Sequence, residues 1–338
     1  MENKKSPIAK FFAIKGMRAS LIAFIGMFII YFAFGLMNPR VMSLQNNMNL
    51  LRSMSKYLLI GVGQSYVMIT GNIDLSIGSV VGMSAMLSAT LMTRGMNPFA
   101  VILITILISL IIGLINGLLV SKFKLPPFIA TLGTMFVARG IGYIVNNNRN
   151  TDNIASGIGK EAADRIQGFF YYGKFLGVYG AFWIALVIFI IFFFVLSKTR
   201  TGRHIYAIGS NVDAARLSGV DVVFTTVKAY LASAFCSAVV GIILCAQAGM
   251  GNMEAGMMYE MYGVAAGVIG GVSPLGGSGL LLGTFAGAGV WQVLENGLNL
   301  IHAQVGIQRM VIGIIVVLAV LLDVLTRNGL GKRKVSKS

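Results

Sequence analysis

The chain is poor in the residues that usually carry chemistry. It has two cysteines, two histidines and 11 acidic residues in 338. Cys236 and Cys245 fall in one apolar segment, which leaves neither a disulfide framework nor metal-ligand spacing. His-Glu-x-x-His and Gly-x-Ser-x-Gly are missing, so metal-dependent and serine hydrolysis have no visible machinery. A coupled-proton pump usually carries carboxylates or histidines in mid-span, and these are sparse. Charge is also scarce. Only 11% of residues are charged, against about 25% in a soluble domain, while 56% are hydrophobic. Uncharged runs such as Val101–Val120 and Ala181–Leu196 match the ~20 residues a helix needs to cross a bilayer. The composition reads as an all-α polytopic membrane protein.

The charge that is present is mostly of one sign, net +16. In a soluble protein that would suggest nucleic acid; here, basic residues in inside loops fix the orientation of the spans. Lys4, Lys5, Lys10, Lys15 and Arg18 precede an apolar run from Leu21 with no small-residue cleavage site, which predicts an uncleaved first span. About ten spans follow from hydropathy: 20–37, 53–70, 76–93, 98–120, 126–145, 180–197, 228–249, 258–272, 279–298 and 309–326. With both termini inside, most of the 27 Lys and Arg fall on the inner side. They are those of the N-terminus, Lys122 and Lys124, the loop from Lys198 to Arg216, Lys228 and the tail from Arg327. A shift by one span would put Lys122, Lys124 and that loop outside, against the positive-inside rule.

The sequence also repeats itself. Gly71-Asn72-Ile73-Asp74 returns 180 residues later as Gly251-Asn252-Met253-Glu254, Asn116-Gly117-Leu118 as Asn296-Gly297-Leu298, and Gly133 as Gly313. In the predicted topology Asn72 is at an inner end and Asn252 at an outer one. The copies would then be inverted, as in transporters that work by alternating access; coincidental Gly/Asn turn chemistry is the other reading. The chain is accordingly one transmembrane domain, 1–338, with repeat one at about 50–197, a polar loop at 198–227 and repeat two at about 228–326.

Forty-two glycines exceed what helices of a soluble protein tolerate, but in a bilayer they allow close helix contact. Gly263, Gly267 and Gly271, and again Gly279, Gly283 and Gly287, recur at i+4 and predict a smooth face on each of two helices, for static packing or for sliding. The glycine-rich Gly270–Gly279 lacks the lysine of a phosphate loop, and is read as a tight inside turn. Polar residues interrupt the apolar sequence at Asn72, Asp74, Ser76, Asn252 and Glu254, which marks them as candidates for a pathway or a broken helix. Asp74 and Ser76 are alternatively a cap for the third span. Arg139, Glu295 and Asp323 lie near span ends, where snorkelling accounts for them.

The basic stretch Thr199–Thr226 separates the two apolar halves. Ser210-Asn211-Val212-Asp213 has the S-x-x-D form of a capping signal, Ala214, Ala215, Arg216 and Leu217 favour helix, and Gly219 is placed to end it. A short helix of roughly 10 Å would present a compact knob to a partner. Asp213-Ala-Ala-x-x-x-Gly219 resembles the E-A-A-x-x-x-G core by which permeases of bacterial ATP-binding-cassette importers dock their ATPase. Glu161-Ala162-Ala163, with Gly168 beyond it, matches the E-A-A of that core better, but falls in the outside loop 146–179, where no ATPase would reach it.

Four blocks extend the resemblance. Thr70–Val80 (TGNIDLSIGSV), Leu125–Met135 (LPPFIATLGTM), Thr199–Val220 and Gly267–Gly279 (GVIGGVSPLGGSG) are similar to the ribose-type sugar permeases of that superfamily, in order, from about residue 50 to the end. Asn72 departs from them, since the family commonly has Gly there. The resemblance implies a homodimeric permease in the bacterial cytoplasmic membrane, with both termini cytoplasmic. It would pass a monosaccharide from an extracytoplasmic binding protein to the cytoplasm. An ATPase subunit would dock on Ser210, Asp213, Ala214, Ala215, Arg216, Leu217 and Gly219. ATP would be used by that partner, and no cofactor would be bound by this chain. A branched-chain amino-acid permease of the same superfamily and a stand-alone secondary transporter are the alternatives.

Overall fold

Nine long or medium helices dominate the computed structural model, which describes residues 16–308 and, beyond them, 310, 311, 313–315, 317, 318 and 321. They are α1 (Met17–Met37), α2 (Leu44–Ile69), α3 (Ile77–Thr93), α4 (Pro98–Ser121), α5 (Pro127–Ile144), α8 (Gly180–Lys198), α11 (Val222–Ala248), α12 (Tyr259–Ile269) and α13 (Leu281–Leu300). Each coincides with one of the first nine expected spans. The tenth, 309–326, lies largely outside the described residues, as do Asp323 and the basic residues of the two termini other than Arg18. Five of the helices, α1, α4, α5, α8 and α11, are long and apolar enough to cross a membrane by length and composition.

Local chemistry sets the helix ends. Asn97 accepts from the backbone N–H of Phe99 with Pro98 at the first helical position, which starts α4. Asp221 accepts from Phe224 N–H at 2.8 Å and starts α11. Ser43 does the same for α2 through Asn46 N–H.

The core is built on α2 and α11, which pack against each other. Around them the halves are interlaced: α11 packs on α3 and α4, and α2 packs on α12 and α13. Close approach is what the glycines provide at these crossings. A side chain at Gly117 of α4 would run into the backbone of Val227, and one at Gly287 of α13 into the carbonyl of Ala266. The two expected glycine faces are only partly helical. Gly271 follows the end of α12 with φ 83° and Gly279 precedes α13 with φ 135°, so both serve the turn between those helices, in backbone shapes that suit glycine.

Peripheral α1, α4, α5 and α8 expose large apolar side chains such as Ile29, Leu107, Phe136 and Ile190 to the surroundings. The segment 146–179, without signature in the sequence, is folded. It holds α6 (Ala155–Ile158), α7 (Lys160–Gln167), a π turn (Gly168–Tyr172) and a two-residue hairpin, Lys174–Phe175 with Val178–Tyr179. Arg52 of α2 stacks on Tyr171 and Tyr179, with ring distances of 4.6 and 4.1 Å.

Two breaks interrupt the helical core, at 70–76 between α2 and α3 and at 249–258 between α11 and α12. They lie at opposite ends of α11, whose 27 residues span roughly 40 Å. The first is beside the start of α11, together with Lys124 and Arg216, on the basic face of the protein. The second is pinned to the segment 146–158 on the opposite face. Thr151 N–H donates to Gly251 O at 3.0 Å, Ile154 N–H to Gly249 O at 2.9 Å, and Met253 N–H to Asn150 Oδ1 at 2.9 Å.

Candidate functional site

Backbone groups released where a helix breaks inside a membrane must find partners locally. At the first break Asp74, 2% exposed, provides them. Its Oδ1 accepts from Ser76 N–H (2.9 Å) and Ser76 Oγ (2.6 Å), and its Oδ2 from Ser233 Oγ of α11 (2.7 Å). Asn116 of α4 donates to Ser76 Oγ at 2.9 Å and accepts from Thr134 of α5 at 2.6 Å. Tyr230 donates to Ile73 O at 3.1 Å, and Leu75 N–H to Thr131 Oγ1 at 3.1 Å. α11 is therefore tied directly to one carboxylate, and α4 and α5 are linked to it through Ser76 and Asn116. Asp74 is not a helix cap in the expected sense. Ser76 occupies the N-cap position of α3 without a side-chain bond to the helix, and Asp74 binds Ser76 itself. Asn72, half-buried, donates to Thr70 Oγ1 at 2.8 Å and lines a cavity of about 400 Å³ on the basic face.

At the second break Asn252 and Glu254 are exposed, and Asn252 Oδ1 accepts from Glu254 N–H at 2.8 Å. The structure does not bring them to Asp74; they line a separate cavity on the opposite face. Arg139, expected to snorkel, instead donates to the carbonyls of Met253 (3.2 Å) and Ala255 (2.9 Å) and ties α5 to this break.

Two helices fill the polar loop between the halves. α9 (Arg200–Ser210) was not expected; its buried residues Gly202, Ile205 and Ile208 recur at i+3, a short amphipathic signal hidden by the basic residues around it. α10 (Val212–Leu217) is the expected knob, with one correction. Its cap is Asn211, whose Oδ1 accepts from Ala214 N–H at 2.9 Å, while Ser210 turns back to donate to Tyr206 O. Gly219, φ 81°, closes it in the left-handed conformation, with Gly219 N–H on Arg216 O and Val220 N–H on Ala215 O. Ala214, Asp213 and Arg216 are exposed, the last two forming a 3.5 Å ion pair of little energetic weight. Ala215 is 4% exposed and faces the body of the protein, whereas Leu217 is 90% exposed. Leu217 is thus the large apolar side chain that α10 leaves most open to the surroundings.

α9 joins this knob to the core. A side chain at Gly209 would collide with the carbonyl of Ile69, the last residue of α2, and with the N–H of Gly277. Gly277 N–H itself donates to Ile69 O at 2.9 Å, and Tyr206 donates to Gly279 O at 2.7 Å. The end of α9, the first break and the turn 273–279 thus meet backbone to backbone. The closer E-A-A match, Glu161–Ala163, lies in α7 on the opposite face, where Ala163 packs with Met92, Ile154 and Cys245. Ser233, Asn116 and Thr134 carried no separate signal in the sequence, apart from the recurrence of Asn116 as Asn296.

Comparison with known proteins bears on this geometry. Residues 46–320 match the family described as branched-chain amino acid transport system / permease component. The chain is similar to the ribose import permease protein of Bacillus subtilis (strain 168), 38% identical over 308 residues, 91% of this chain and 94% of the relative. It is 32% identical over 303 residues to the D-allose transport system permease protein of Escherichia coli (strain K12), covering 87% and 88% of the two chains. The galactose/methyl galactoside import permease protein of Haemophilus influenzae is likewise 32% identical over 298 residues, covering 85% and 88%. No solved structure matches the chain.

Proposed function

We propose, for a chain that belongs to the permease family of branched-chain amino acid transport systems, the role of membrane-spanning subunit in an ATP-driven sugar importer. Although that family description names amino acids, the similar proteins aligned over most of the chain are permeases for ribose, allose and galactose, which supports a monosaccharide. The observation that carries the mechanism is the junction at Gly209, where the α10 knob, the first break and the turn 273–279 share backbone contacts.

On this reading the basic face is cytoplasmic, in keeping with the positive-inside rule. An ATPase subunit docks on Leu217 and its exposed neighbours, and ATP is bound and hydrolysed there. An extracytoplasmic binding protein delivers sugar to the opposite face, and the permease works as a homodimer in the bacterial inner membrane with both termini cytoplasmic. The halves are inverted repeats: α2, α3 and α4 correspond at the 180-residue offset to α11, α12 and α13, and their breaks lie at opposite faces. ATPase closure moves α10, and α9 passes the movement to Ile69 and the first break.

In a strain lacking the permease gene, the restored gene is expected to bring back uptake of labelled ribose, allose or galactose and not of leucine. Leucine uptake without sugar uptake would overturn the sugar assignment. Gly209→Val is expected to separate hydrolysis from transport: ATP turnover continues while sugar uptake falls roughly tenfold or more. Uptake and hydrolysis falling together would place Gly209 in docking instead.

A further inference from the structure

The break at 249–258 borders a cavity of about 500 Å³ on the face opposite α10. Its size lies within the ~300–1,000 Å³ of small-molecule sites. Lys56 of α2, Gln247 of α11 and Tyr259 of α12 line it, with Tyr172, Asn252 and Glu254. One cation, one anion, two amides and two tyrosines give matched donors and acceptors around apolar ring faces. That set suits a neutral polyol, which offers hydroxyls on its edges and C–H groups on its faces. Tyr259 is fixed in place, packed on Tyr57 and Tyr262 with ring distances of 6.1 and 5.6 Å.

Two side-chain amides at and below this cavity carry polar atoms with no hydrogen-bond partner in the folded chain. Gln247 Oε1 is buried without a hydrogen-bond partner. Gln64, two turns below Lys56 on α2, is 0% exposed, and neither its amide oxygen nor its nitrogen has a partner. It packs beside Gly263, one turn below Tyr259 on α12. A buried amide with nothing to bond destabilises the fold, so a leucine there would be the better structural choice.

We infer that the cavity is a monosaccharide subsite of the permease itself, and that Gln64 is the next group the sugar meets when the halves part. The inference rests on the sugar-importer reading. A leucine zwitterion would engage Lys56 and Glu254 and leave the amides idle, so the amides are the residues to change.

The test uses the complete transporter, permease with its ATPase and binding protein, in proteoliposomes with labelled ribose, allose and galactose. Gln64→Leu is expected to keep or raise the melting temperature and yet lower sugar moved per ATP hydrolysed roughly tenfold. Gln247→Ala is expected to lower it similarly and to change the ratio among the three sugars, which a packing role would not do. Wild-type sugar yield per ATP in both variants, or a Gln64→Leu protein that melts earlier, overturns the subsite while the importer reading stands. A wild-type complex that carries leucine and no sugar overturns both.

Discussion

Replacing Leu217 with aspartate is expected to abolish co-purification of the ATPase while the permease still inserts and folds. Leu217 is 90% exposed at the end of a six-residue helix and contributes nothing to the core. A carboxylate buried at the centre of a docked interface costs about 2 kcal/mol or more, so the retained ATPase should fall at least ~30-fold. Ala215 behaves differently. At 4% exposed it seats α10 against the body, and Ala215→Glu would force a carboxylate into that seat. It should therefore disturb the knob and reduce yield as well as docking. Equal ATPase retention by Leu217→Asp and wild type, measured by quantitative pull-down in detergent, would remove α10 from its role.

Asp74→Ala is expected to be the most destabilising single change at the first break. It leaves the Ser76 N–H and the hydroxyls of Ser76 and Ser233 without their acceptor in a site closed to water. Each orphaned buried donor costs about 1–3 kcal/mol, and hydroxyls can turn to nearby carbonyls, so the net loss should be about 3 kcal/mol. Asp74→Asn retains an acceptor for both Ser76 donors and offers its amide N–H to the Ser233 oxygen, at a cost of about 1 kcal/mol. Thermal unfolding in detergent should rank wild type above Asn and Asn well above Ala. If Ala melts with wild type, the carboxylate is not what holds the break.

The helices were legible in the sequence because a bilayer demands long apolar runs, and runs of that length are visible without a partner. The breaks were legible too, as Asn and Asp set among apolar residues, but their chemistry was not. Asp74 binds Ser233, 159 residues away, and no local pattern marks such a pairing. Arg139 read as an interfacial cation for the same reason, since its acceptors are carbonyls of 253 and 255, and every residue has a carbonyl. Local propensity placed α10 within a residue or two, misassigning its cap by one position. It failed on α9, where Arg200, Arg203 and His204 mask the three buried residues that fix the helix to the core. Burial separated Ala215, a fixed position of the docking motif, from Leu217, a variable one that the motif does not mark.

The most direct test is sugar uptake into proteoliposomes that hold the permease, its ATPase and its binding protein, with ATP inside or withheld. Uptake of ribose, allose or galactose that requires ATP and the binding protein, with leucine excluded, is the predicted result. Uptake that persists without ATP would contradict the account and make the chain a stand-alone transporter.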